Sequence, residues 1–181
     1  MSSGPGTDIE AVEAANTGLY EALERGDLEA LEERWLDPAL DEAQGGEHTA
    51  DADVSVVHPG WPVLTGRGEV LRSYALIMAS TEYIQFFLTD VEISVLGDTA
   101  LVTCTENILS GGPAEEDGSV GPLVGGLVVA TNVFRRAGDG TWKLWAHHGS
   151  PVLVDQDDSD EVDEEPEDGE DTAGGTAFGP S

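Results

Sequence analysis

The sequence predicts an α+β domain: helices come first and pack on one face of a curved antiparallel sheet made from everything after them. Three observations predict it. Apolar residues recur at helical spacing before residue 80 and in strand-like runs after it. Gly138-Asp139-Gly140 joins the last two strand-like runs, a strong hairpin signal. Helices followed by a run of strands sort into separate layers. At 181 residues and 39% hydrophobic, the chain has enough material for one core.

The elements follow in order. Ile9, Val12, Ala15, Leu19, Ala22 and Leu23 form the apolar stripe of a first helix. Thr7 or Asp8 caps it, Glu10 complements its dipole, and Gly26 stops it. Asp27 caps a second helix with Leu28, Leu31 and Trp35 on one face, ended by Pro38. Residues 37–53 read as a polar, acidic loop. Residues 54–58 form a short β-branched strand ending at Pro59, and Gly60, Pro62 and Gly66 mark an irregular turn. Val70, Leu71, Tyr74, Ile77 and Met78 predict a helix over 68–79. Four strands close the domain: 83–96, long or bulged, then 99–109, 123–136 and 141–150. A Gly/Pro/acidic loop spans 110–121.

Charge is the outlier: 37 acidic against 7 basic residues, net −30. No basic stripe exists to displace counterions from phosphate, which excludes nucleic-acid binding and disfavours anionic membranes. Twelve of the acids lie in 155–181, which holds no basic residue. That segment repels itself and has little to bury, so it is expected to be a disordered tail. Residues 1–7 are expected to be a disordered N-terminus, leaving 8–154 as the folded domain. The remaining 25 acids still far outnumber the basic residues, only one of which is lysine (Lys143). Such a surface reads as salt-adapted, because molar salt screens self-repulsion within a few ångströms. A single cysteine, Cys104, excludes an internal disulfide and a cysteine zinc site. Met1 to Asp8 lacks a basic start and apolar run, and no stretch is long enough to span a bilayer, so a cytoplasmic location is expected.

Four segments resemble a known family. Residues 20–27, Tyr-Glu-Ala-Leu-Glu-Arg-Gly-Asp, are similar to the end of its first helix. Residues 53–68 resemble its strand, Pro-containing turn and Gly-Arg-Gly start of a helix. Asp98-Thr99-Ala100-Leu101-Val102-Thr103 resembles its central strand, and Thr141-Trp142-Lys143-Leu144-Trp145-Ala146-His147-His148-Gly149-Ser150 its last. This is the SnoaL-like branch of the nuclear transport factor 2-like superfamily. The resemblance implies a cone: a strongly curved antiparallel sheet wrapped by three N-terminal helices, often dimeric through the sheet's outer face. It also implies an apolar pocket at the open end. The fold hosts isomerases, cyclases, dehydratases and non-catalytic modules, so chemistry must come from pocket residues.

His58 stands where the isomerase relatives carry their acidic base, and an imidazole can accept a proton near neutral pH. Those isomerases also use a helix-one tyrosine as oxyanion donor. Ungapped counting from Gly26-Asp27 puts Leu19 there, with Tyr20 one residue over. Strict alternation along 141–150 puts Trp142, Leu144, Ala146 and His148 on one face and Lys143, Trp145 and His147 on the other. The first face is the more apolar, so His148 is expected inward, and His147 and Trp145 outward toward a dimer interface. Trp35, Trp61 and Tyr74 are candidate pocket walls for a small apolar or aromatic molecule. Asn132 shares a face with Val128, Ala130 and Phe134 and needs a partner if that face is inward. His58 and His148 with Glu106 or Asp90 lack short-range ligand spacing, so no metal or other cofactor is expected. The leading expectation is a small-molecule-binding cone suited to proton transfer by His58, with His148 or Asn132 positioning the ligand. A non-catalytic dimerisation or adaptor module is the alternative.

Overall fold

The computed structural model describes residues 5–45, 53–112, 115–116, 118–119 and 121–153. The expected acidic tail lies outside them, as do parts of the loops 37–53 and 110–121. Helix α1 (Pro5–Glu24) begins inside the segment expected to be unstructured. Proline suits a first helical position, because its φ is fixed and its missing N–H would be unpaired there anyway. Asp8 spends its carboxylate on Arg136, 2.9 Å away near the end of a strand, and so anchors the helix start. The helix buries Val12, Asn16, Leu19 and Tyr20, while Ile9, expected in the stripe, is turned to solvent.

Gly26 takes φ +62°, and Asp27 donates its backbone N–H to Ala22 O at 3.0 Å, which stops α1. Asp27 caps α2 (Leu28–Arg34) by accepting from Ala30 N at 3.0 Å. The region after it is not all loop. Asp37 accepts from Ala39 N and Leu40 N and starts a short helix, α3 (Pro38–Ala43), with proline at its first turn. Pro38 therefore opens a helix as well as following one.

Strand β1 (Ser55–Val57) pairs antiparallel with β2 (Leu64–Thr65), two residues that the sequence leaves in a turn. Helix α4 (Arg67–Ser80) follows. Its first residue, Arg67, donates to the carbonyls of Glu32, Trp35 and Leu36 at 3.0–3.2 Å. Carbonyls at the end of α2 are thus satisfied by a side chain from α4. The sheet is completed by β3 (Tyr83–Leu96), β4 (Thr99–Gly111), β5 (Leu123–Arg136) and β6 (Trp142–Pro151), in the order β2-β1-β6-β5-β4-β3. All pairs are antiparallel except β1 with β6. The sheet is strongly curved, and the helices cover its inner face, giving the expected α+β cone.

The core lies between them: Val12 and Leu19 of α1, Leu31 of α2 and Val70 of α4 meet inward residues of the sheet such as Val102, Ala130, Phe134 and Leu144. Strand β3 is the long edge of the sheet, with the two-residue β2 at the other edge. It carries a bulge between Thr89 and Glu92, where Asp90 takes φ +53°. Glu24 Oε1 accepts from Phe86 N at 2.7 Å and so ties the end of α1 to that edge. Among the described residues no helix is long and apolar enough to cross a membrane.

Gly149 is the tightest glycine in the sheet. A Cβ there would lie 3.1 Å from Pro59 Cγ and Cδ and 3.2 Å from Val128 Cγ1. Proline is a rigid ring, so neither neighbour gives easily. Gly149→Ala is expected to cost about 1–3 kcal/mol by overpacking, read as a lowered urea midpoint. An unchanged midpoint would mean that Pro59 moves freely.

Candidate functional site

The end of β1 turns sharply. Trp61 donates its backbone N–H to His58 O at 2.9 Å, with Pro59 second and Gly60 third at φ +79°. That is the residue pattern of a type II turn, whose third position favours glycine. The turn folds the Trp61 ring back onto the edge of His58, centroids 5.3 Å apart, while Tyr74 of α4 meets the same imidazole at 4.8 Å. Ser73 Oγ donates to Val70 O at 2.7 Å, so toward His58 Nε2, 2.8 Å away, it acts as acceptor. His58 thus carries its proton on Nε2. Its Nδ1 has no hydrogen-bond partner among the described residues.

Strand β6 does not alternate throughout. Leu144 lies opposite Phe134 but Ala146 opposite Val133, so Trp145 is an extra residue, a β-bulge. Before it Trp142 and Leu144 face inward; after it His147 and Gly149 do. The bulge reverses the expected faces of the histidine pair. His147 is buried and His148 is exposed on the outer face. Parallel pairing sets Val56 opposite His147, and His58 follows two residues later on the same face. The two rings come within 6.5 Å.

A polar chain runs behind them. His147 Nδ1 donates to Asn132 Oδ1 at 2.6 Å. The Asn132 amide donates to Asn16 Oδ1 at 2.8 Å and to the Tyr20 hydroxyl at 3.1 Å. Tyr20 in turn donates to Glu106 Oε1 at 2.7 Å. These directions leave His147 Nε2 bare, like His58 Nδ1. The Tyr74 hydroxyl has no partner among the described residues.

His58, His147, Tyr20, Tyr74 and Glu106 line one cavity of about 280 Å³, with Trp61 beside them. Leu19, Leu23, Met78, Phe86 and Ile108 supply apolar wall. The volume falls just below the ~300–1,000 Å³ usual for ligand sites. Burial lowers the His58 pKa to about 4. Burial first, and then repulsion from His58 and His148, lowers that of His147 to about 3. Both rings are neutral at pH 7. Burial pushes the Glu106 carboxyl upward, toward its protonated form, and the Tyr20 hydrogen bond opposes this in part. Burial, assisted by Glu106, also raises Tyr20 and Tyr74, so both stay phenols.

Of the expected site residues, the structure brings His58, Trp61 and Tyr74 to the cavity. Asn132 is fully buried behind the wall and bonded within the polar chain, not open to a ligand. Trp35 is 1% exposed core, stacked at a tilt on Tyr74. His148 lies outside. Sequence reasoning missed His147 because a bulge leaves no mark in alternation. It misplaced Tyr20, whose hydroxyl reaches inward beside Leu19. It weighed Glu106 only as a metal ligand, although the inward run Ala100, Val102, Cys104 was already legible and Glu106 continues it. Among the described residues no group of three His, Cys, Asp or Glu could hold a metal ion.

Residues 12–155 match the SnoaL-like domain family. No curated protein matches the chain. A crystal structure from Streptomyces avermitilis, provisionally assigned as a dehydratase of the nuclear transport factor 2-like family, is 69% identical. That match covers 83% of this chain and all of the other, with TM-score 0.76. A ketosteroid isomerase-like protein from Erwinia carotovora atroseptica SCRI1043 is 16% identical over 81% of this chain and 98% of its own, with TM-score 0.59. This second likeness is one of fold alone.

The histidine pKa values fix a sign. The unfolded chain takes up protons on both rings near pH ~6.5, the folded chain only near 4 and 3. Below pH ~6.5 the unfolded state binds more protons, so these rings withdraw stability as pH falls toward about 4. Glu106, raised in the fold, acts in the opposite sense. In Glu106→Gln, which keeps an acceptor for Tyr20, the thermal midpoint should therefore fall more steeply over that window than in the unaltered protein. By long-range ¹H–¹⁵N NMR neither His58 nor His147 should titrate above about pH 5; an ordinary midpoint for either would mean its ring is open to water.

Proposed function

We propose that this chain, which belongs to the SnoaL-like domain family, binds a small, mostly apolar molecule in its cone and moves a proton on it, as isomerases, cyclases and dehydratases do. The observation that carries the reading is the bare Nδ1 of His58, a neutral base on a cavity wall that also holds a carboxyl–phenol pair. In this reading His58 takes a proton from carbon beside a carbonyl. The Tyr74 hydroxyl, free to donate, holds the carbonyl oxygen as charge develops. Glu106, drawn toward its protonated form, returns a proton to the neighbouring position or to a departing hydroxyl. His147 supplies a second acceptor. The dehydratase assignment of the Streptomyces avermitilis relative is in keeping with this chemistry. A non-catalytic adaptor would draw support from the small cavity. Against it stand side-chain groups left without protein partners in that cavity, which a purely structural pocket would satisfy itself.

Further parts of the proposal concern the whole chain. The outer face of the sheet exposes Phe87, Leu101, Leu127 and Val129, an apolar surface suited to pairing two copies as a homodimer. The acidic surface is proposed to need salt, the segment 155–181 to act as a solvated tail, and the protein to work in the cytoplasm.

The reaction is tested by deuterium exchange into the methyl group of acetophenone in D₂O. The protein should accelerate exchange, and His58→Ala should reduce the rate by about 10²-fold or more. Exchange no faster than buffer would sink the proton-transfer reading. Light scattering should give twice the chain mass in molar salt. Leu127→Asp should give the chain mass itself, and transfer to low salt should reduce the circular dichroism.

A further inference from the structure

The hydrogen bonds already made inside the cavity settle what a ligand must bring. Ser73 and Asn132 each consume the proton of one imidazole, so His58 Nδ1 and His147 Nε2 can only accept. Tyr20 gives its proton to Glu106 and accepts from Asn132, so it has no proton left for a ligand. Among the buried lining side chains the donors that remain are the Tyr74 hydroxyl and, when protonated, the far oxygen of Glu106; the exposed Trp61 indole and the half-buried Thr81 hydroxyl lie on the same lining. Two lone pairs on nitrogen therefore await donors, and the remainder of the wall is largely apolar.

Charge sharpens the selection. Among the described residues that line the cavity, no buried side chain is cationic. Arg25 stands with the lining residues at the end of α1, but it is more than half exposed and paired with Glu21 at 3.7 Å. Glu24 and Glu82 line the same region. A carboxylate entering the cavity would meet two nitrogen lone pairs and a carboxyl group, with Tyr74 as its one certain buried donor. An anion would also have to approach a chain of net charge −30.

We infer that the cavity selects an uncharged ligand carrying its own hydroxyl donor beside a carbonyl-bearing apolar body, a hydroxyketone or acyl phenol, and rejects the carboxylate of the same shape. The inference rests on the reading of this cavity as a ligand site, and it deepens that reading by naming the ligand class. A hydroxyl would point at His147 Nε2 and a carbonyl at Tyr74, which leaves His58 Nδ1 toward the carbon beside that carbonyl. This orientation sets the carbonyl oxygen at a donor, and it would hold even if no bond to carbon were ever broken.

Three probes of one shape test it on the full chain at about pH 6.5, where all three have defined charge: 4-hydroxyacetophenone, acetophenone and 4-acetylbenzoate. Binding is followed by the shift of the Trp61 indole N–H in ¹H–¹⁵N spectra. One extra hydrogen bond to a buried acceptor should make 4-hydroxyacetophenone bind about fivefold or more tighter than acetophenone. The carboxylate should bind at least about tenfold weaker than the hydroxyl compound. His147→Phe, judged by an unchanged fold spectrum, should shrink the hydroxyl advantage to about twofold or less. If that variant does not fold, His147→Leu serves the same purpose. Equal affinity for all three, preference for the carboxylate, or no binding below about 10 mM overturns the inference. Deuterium exchange fails or succeeds separately. A preserved hydroxyl preference without exchange would leave the ligand class standing and remove the reaction.

Discussion

A carboxamide that no water can reach organises the inside of this protein. Asn132 is fully buried at the middle of β5. Leaving one such donor or acceptor unpaired costs about 1–3 kcal/mol. The fold therefore has to bring partners to it, and it brings three: Asn16 and Tyr20 from α1, and His147 from β6. Satisfying one amide thus fixes how α1 crosses the sheet, which way the His147 ring is protonated, and where the Tyr20 hydroxyl points. Glu106 receives what is left of that ordering. The reactive-looking groups are at the cavity wall, but their orientation is set one layer behind it.

Much of this was legible before any coordinates. The four long strands and the Asp27 cap follow from periodicity and turn chemistry, which act over a few residues. So does the exit from β1 at His58-Pro59, because proline ends a ladder by lacking an N–H. What escaped was set by contacts between distant segments. The parallel pairing of β1 with β6 depends on chain direction, not on local pattern. One extra residue at Trp145 inverts every side chain after it, so His147 and His148 exchange roles although the amino acids around them are unremarkable. Asp37 is a helix cap whose signal was present but read as loop polarity. Trp35 looked like a pocket wall because an aromatic ring on a helix face fits either setting. Arg67 decides the matter, drawing the end of α2 onto α4 and leaving Trp35 sealed against Tyr74.

The molecule also separates two electrostatic regimes. Over the whole chain, acids outnumber bases about fivefold. In the cavity, burial drives five groups toward their uncharged forms: the His58 and His147 imidazoles downward, the Glu106 carboxyl and the Tyr20 and Tyr74 phenols upward. Groups of matched neutrality a few ångströms apart exchange protons without creating a large unscreened charge in a low-dielectric space. That is a condition for acid–base work by modest side chains, and the same burial that builds the core supplies it.

The bulge in β3 has a consequence for life in a crowded solution. An uncovered edge strand is a template on which another chain can add its own backbone, and repeated addition yields fibres. Here Asp90 holds a left-handed backbone conformation at the middle of that strand, breaking the flat run of donors and acceptors. Glu92 adds a charge on one side of the break, and Glu24 occupies the Phe86 N–H nearer the start of the strand. The left-handed backbone at one aspartate thereby makes this long edge a poorer template for sideways growth.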